Sequence, residues 1–427
     1  MSRISIRGGR LIDPANGIDE ISDLHLADGR VLSVGQAPEG FSPEETIDAG
    51  GFVVCPGFVD LRAKLREPGQ EHKGTITSET RAAAAGGITT LCCPPDTKPV
   101  IDTPAVARMI QERAAASGSA RVVPLGALTR GLEGQQLSEM AALLEAGCCG
   151  VSNDRRPMSN LQVMRRALEY AASFELTVFI HPEVPELANG GCAHEGAVAS
   201  RLGLPGVPAA AETVAIAGLL ELIALVGVRA HFCLVSTARG AQLIARARHD
   251  GLQVTADVSA HHLHLSEYDV LDFDDRCHLQ PPLRTMRDRD SLRQWLAQDG
   301  IEAICSDHQP HEADAKLAPF PSTASGLSGL ETLLPLSLRL VDEGVLSLPD
   351  MIARLTDRPA RILGVDAGRL DPGMSADICI FDPEAMWTLA ANSMISMGHH
   401  SPFMGWEMKG KAVYTLLGGR VVHEPAI

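Results

Sequence analysis

The chain has 427 residues, a formal net charge of −16, 45% hydrophobic and 21% charged residues. That is long enough for one large domain plus a smaller unit, and so acidic a surface argues against nucleic acid or anionic membrane as partner. No apolar run reaches the roughly 18 residues of a membrane span. The first stretch, MSRISIRGGRLIDPANG, lacks the apolar region of a secretory signal. The ten cysteines sit in apolar runs such as TTLCCPP and AGCCGVS with no C-x-x-C pair. A cytoplasmic protein with reduced, buried thiols is therefore expected.

Taken in chain order, the N-terminal part alternates short β-like runs with Gly and Asp turns (RISIRGGRLID, SDLHLADGRVLSVG). The C-terminal part does the same (ADICIFDP, GKAVYTLLGGRVVHE). Residues 1–52 and 372–427 are predicted to build one small β-sandwich-like domain from both termini. Between them, 53–371 alternates amphipathic stretches such as NLQVMRRALEYAASF with eight apolar runs. These are FVVCPGFVDLR, GITTLCC, RVVPLGAL, GCCGVSN, LTVFIH, VRAHFCLV, LQVTADVS and IEAICSD. Helices between strands imply a parallel sheet, and eight such units imply an α/β fold of the (β/α)8 TIM-barrel type. No low-complexity segment or sequence repeat interrupts it.

In such a barrel the chemistry sits where strands end at the C-terminal face. Strand one runs out through Asp60, Arg62, Lys64 and Arg66, and strand four through Asn153, Asp154 and Arg155. Strand five ends at His181, six at Leu234, seven at His261 and His262, and eight at Asp307 and His308. Imidazoles and carboxylates on one barrel mouth suit zinc. Arg62 and Lys64 do not: spaced two apart on a strand they share a face, and arginine does not deprotonate. A unit positive charge about 4 Å from a divalent cation repels it by roughly 2 kcal/mol in water and nearer 8 kcal/mol at an effective dielectric of about 20. The Pro-, Ala- and Ser-rich segment 310–326 is expected to be a mobile loop near the pocket.

At these residues the chain resembles the dihydroorotases, a branch of the cyclic amidohydrolases, over essentially its whole length. PGFVDLRAKLREPG (56–69) is similar to the family's PGLIDxHVHLREPG. AAAAGGITTLCCPPDTKPVIDTP, VSNDRRP, IHPEVPEL, CLVSTARG, SAHHLHL, LQPPLRT, CSDHQPH and GLSGLET follow in family order. The resemblance implies two zinc ions held by an H-x-H on strand one and an Asp or carboxylated Lys on strand four. A His each on strands five and six and an Asp on strand eight complete the set, and that Asp doubles as general acid/base. Carried onto this chain, the H-x-H becomes Arg62 and Lys64. The strand-four position is Asp154 or, shifted by one, Asn153; His181 and Asp307 survive, and the strand-six histidine is Leu234. On the substrate side the resemblance places Arg66, Asp96 where the family has Asn, Gln280 where it has another Asn, and His311. Asp96 is expected to repel an anionic substrate.

The resemblance is strongest to catalytically silent homologues that associate with aspartate transcarbamoylase, so no metal and a mixed oligomer with that enzyme are expected. Asp307 would then be a vestigial acid/base. The alternative is a working dihydroorotase with one zinc on His181, Asp307 and either Asp154 or His261, three protein ligands being a legitimate catalytic count. The sequence further predicts that Arg62 or Lys64 pairs with Asp154 or Asp307, since buried carboxylates need counter-ions.

Overall fold

A computed structural model describes residues 3–424. The barrel strands are Phe58–Asp60, Ile88–Cys93, Arg121–Pro124 continued at Gly126–Ala127, Gly150–Ser152, Thr177–Ile180, Ala230–Phe232, Val254–Ser259 and Ala303–Cys305, here barrel strands one to eight. Neighbouring strands pair in parallel, and a parallel bridge between Ala63 and His308 closes eight onto one. Six of the eight expected runs form their strand intact; in RVVPLGAL a one-residue break divides the strand.

FVVCPGFVDLR divides for a steric reason. Val53–Pro56 joins the terminal sheet, parallel to Arg3–Asp13 and antiparallel to Ile378–Thr388, and only Phe58–Asp60 enters the barrel. Gly57 lies between, and a Cβ there would come within 2.3 Å of the Thr89 side chain, so only glycine allows the two sheets to meet so closely. The terminal sheet has eight strands drawn from both chain ends, with a core of Ile4, Leu11, Leu24, Ile378 and Leu416.

Helices begin where the sequence supplies caps: Thr75 forms a capping box for Ile76–Ala85, Asn160 caps Leu161–Ser173, and Thr237 caps Ala238–His249. Segment 310–326 differs from the mobile loop expected. It folds as short 3-10 turns at Ala313–Lys316 and Phe320–Ser322. Phe320 is buried in the core, and Lys316 donates to the Asp275 carbonyl at 2.9 Å. Burying an aromatic ring and a satisfied ammonium fastens a stretch whose composition alone reads as loose. Among the described residues no helix is long and apolar enough to cross a membrane.

Candidate functional site

The ends of barrel strands one, two, four and eight bring six charges together. Arg62 bonds Asp154, and its Nε donates to Asp307 Oδ1 at 3.1 Å. Lys64 Nζ lies 2.6 Å from Asp96 and 3.4 Å from Asp154. Arg155 donates to both oxygens of Asp307, at 2.9 and 2.7 Å. Three cations thus face three carboxylates, so the cluster is neutral. Arg62, Asp154 and Asp307 are only 4%, 5% and 2% exposed, which makes those pairings obligatory. Burial pushes Asp154 up, but Arg62, Lys64 and Arg155 together outweigh it and hold the carboxyl well below its usual range.

The backbone around this cluster is strained. Arg66, Asp154, Leu234 and Asp307 all have left-handed φ, of 65°, 50°, 57° and 46°, a region that costs most non-glycine residues about 1 kcal/mol or more. Hydrogen bonds enforce it: the Leu234 N–H donates to Asp257 at 2.6 Å and the Asp154 N–H to the Ser152 hydroxyl at 2.9 Å. At Leu234 this geometry presents hydrocarbon, buried with Phe179 and Cys233. The left-handed conformation at this strand end thus carries a side chain with no donor atom.

His181 stands at the end of strand five, 7% exposed, its Nδ1 buried with no hydrogen-bond partner. Burial, then Arg155 and Arg62, push its pKa down to about 3. The other strand-end histidines do not converge on the cluster. His261 and His262 share the Ser259 hydroxyl at 3.0 and 2.7 Å. His308 turns away to Glu79 at 2.8 Å and accepts the Gly329 N–H at 3.1 Å.

On the substrate side, Arg66 donates to the Pro310 carbonyl at 2.8 Å and lies 3.0 Å from His311 Nε2. Gln280 reaches Glu183 only at 3.5 Å. Asp96 is not the bare repulsive carboxylate expected from the sequence, because Lys64 neutralises it. Asn153 is no candidate ligand: Thr129 donates to its amide oxygen at 2.7 Å, and its nitrogen bonds the Arg156 carbonyl at 2.7 Å. Arg155 is the residue whose role sequence reasoning missed; a third cation beside Asp154 in NDRRP was the available signal.

The donor set at the mouth does not fit a zinc pair. The oxygens of Asp154 and Asp307 are engaged by guanidinium and ammonium groups, and of the three expected surviving ligands His181 offers an unpartnered nitrogen. Deeper in the barrel His231, Cys233 and Asp257 place an N, an S and an O within 4.8 Å of one another. They are satisfied among themselves and their neighbours: His231 bonds Asp257 at 2.9 Å and Thr255 at 2.8 Å.

Residues 51–239 match the family described as Dihydro-orotase-like, and residues 233–423 the Amidohydrolase family. A Dihydroorotase-like protein of Pseudomonas putida is 53% identical over 422 residues, covering 99% of both chains. One from Pseudomonas aeruginosa is 51% identical over 421 residues, again 99% of both. The chain belongs to the dihydroorotase-like amidohydrolases. A Dihydroorotase of Geobacter metallireducens is 44% identical over 419 residues, covering 98% of this chain and 99% of that one. Among solved structures, L-hydantoinase (dihydropyrimidinase) from Arthrobacter aurescens superposes with a TM-score of 0.89 at 25% identity, covering 100% of this chain and 97% of that one. This likeness supports the barrel with its β-rich terminal domain.

The buried histidines of this dihydroorotase-like chain make its stability fall in acid. Burial foremost depresses His181 to about 3, His262, His264 and His278 to about 4, His311 to about 2, and His261 well below its ordinary value. Above pH ~6.5 these rings are neutral folded and unfolded; below it the unfolded chain takes protons that the folded chain refuses until pH ~4 or lower. Burial raises Asp60 and Glu331 to about 7 and also raises Glu267 and Asp357, which opposes the trend, but with His194 and His423 depressed as well four groups stand against eight. The urea midpoint is expected to fall steadily from pH 7 to pH 5, and a flat or rising midpoint would refute this.

Proposed function

We propose that this chain is a dihydroorotase homologue of pyrimidine biosynthesis that does not catalyse, and that it serves in the cytoplasm as a structural partner of aspartate transcarbamoylase in a mixed oligomer. The silent half rests on one observation: Asp154 and Asp307 already have Arg62, Lys64 and Arg155 as counter-ions. A divalent ion entering the cluster would meet cations it cannot displace without unpairing buried charge. The partner half is supported by the resemblance to silent homologues that accompany that enzyme.

Protein purified without chelator is expected to hold no stoichiometric zinc at the barrel mouth and to show no dihydroorotate turnover with zinc added. Stoichiometric zinc with turnover overturns the reading. Mixed with folded aspartate transcarbamoylase, the chain is expected to elute as a larger species on sizing; unchanged elution of both proteins counts against the partnership.

A second reading, an amidohydrolase with one zinc on His181, Asp307 and Asp154, the alternative ligand His261 being held at Ser259, is favoured by the unpartnered Nδ1 of His181. One zinc per chain together with turnover selects it.

A further inference from the structure

Beside the ion cluster a cavity of about 290 Å³ opens between the helices Leu161–Ser173 and Ala210–Val226. That volume is close to the ~300 Å³ at which small-molecule pockets begin. Its walls are apolar, formed by Met158, Met164, Phe179 and Leu219, and His181 and Glu183 also line it. Gly218 lies on the second helix wall. A glycine in mid-helix costs stability relative to alanine, yet a Cβ at Gly218 would meet nothing within 4 Å. The absent side chain leaves that wall open.

The polar groups define what the cavity accepts. His181 is 7% exposed and its Nδ1 is unpartnered; a neutral imidazole offers one donor and one acceptor. Among the described residues the Glu183 carboxylate has only the long 3.5 Å contact from Gln280 and is an available acceptor. Arg62 and Lys64 already neutralise Asp154, which leaves two carboxylates on the cavity wall, Glu183 and Glu186, against the single guanidinium of Arg156, a balance that disfavours anions.

We propose that this cavity binds an uncharged ring compound carrying adjacent hydrogen-bond donor and acceptor groups, with the ring among the methionines and the polar end at His181 and Glu183. The site is distinct from the arginine-lined substrate side, and the proposal holds whether or not the chain catalyses.

Benzamide and benzoate, equal in shape and different in charge, are the probes. Titrated into the full-length protein and followed by saturation-transfer NMR, benzamide is expected to bind saturably, and benzoate at least about tenfold more weakly. Gly218→Phe fills the open wall and is expected to weaken benzamide at least about tenfold, with the melting temperature maintained; Gly218→Ala is expected to keep binding. If Gly218→Phe does not fold, Val214→Trp, from an exposed position on the same wall, is expected to give the same loss. No saturable benzamide binding, benzoate binding as tight as benzamide, or unaltered benzamide affinity in the folded wall variant would each overturn the proposal.

Discussion

Arg62→Met is expected to lower the unfolding free energy by about 3–5 kcal/mol, the range for breaking a buried pair from one side, read from urea unfolding near pH 7. Among the described residues Arg62 is the one side chain bonded to both Asp154 and Asp307, and all three are almost wholly buried. Methionine of similar length fills much of the same volume, so lost packing contributes little. The cost comes from the cluster, which changes from neutral to one excess negative charge around two almost wholly buried carboxylates. Lys64 and Arg155 remain as partial counter-ions, which keeps the loss near the lower end of that range. The charge account has a sharper consequence in the double variant Arg62→Met/Asp154→Asn. There Lys64 keeps Asp96 and Arg155 keeps Asp307, two neutral pairs at 2.6 and 2.7 Å. More than half of the lost stability is expected to return, although each substitution alone destabilises. A single variant within about 1 kcal/mol of the parent, or a double no better than the single, would contradict the neutral-cluster account.

What the sequence revealed and what it hid follow from the range of the interactions concerned. Alternating apolar runs and amphipathic stretches are local signals, and they led to the barrel and its terminal sheet. The break at Gly57 was not local: it depends on Thr89, which faces glycine only once two sheets meet. Strand ends placed Arg62, Asp154, His181 and Asp307 at one mouth, and an ion pair was expected on charge grounds alone. The sequence could not show that Lys64 would choose Asp96, or that Arg155 would close the cluster on Asp307, a residue 152 positions away. His308 misled for the same reason, because its partner Glu79 lies 229 positions upstream on another element. The resemblance supplied positions, and pairings had to come from three dimensions.

The largest qualitative effect is expected for Arg62→His/Lys64→His, which restores the two imidazoles that the family resemblance places on strand one. No dihydroorotate turnover is expected from it with zinc in excess. Leu234 still presents hydrocarbon where the family resemblance places a strand-six ligand, held by the Leu234 N–H bond to Asp257. Arg155 still bonds both oxygens of Asp307, where the resemblance places the general acid/base. The apo form of this variant should also be less stable than the parent, since three carboxylates would then face Arg155 alone with neutral histidines beside them. Zinc is a better counter-charge than a neutral imidazole, and linkage requires any ion bound only by the folded state to stabilise it. The melting temperature of the double variant should therefore rise with added zinc while that of the parent stays constant. An equal zinc-dependent rise in both proteins would mean that the parent already holds a metal, and turnover by the double variant would mean that Leu234 and Arg155 do not block the chemistry.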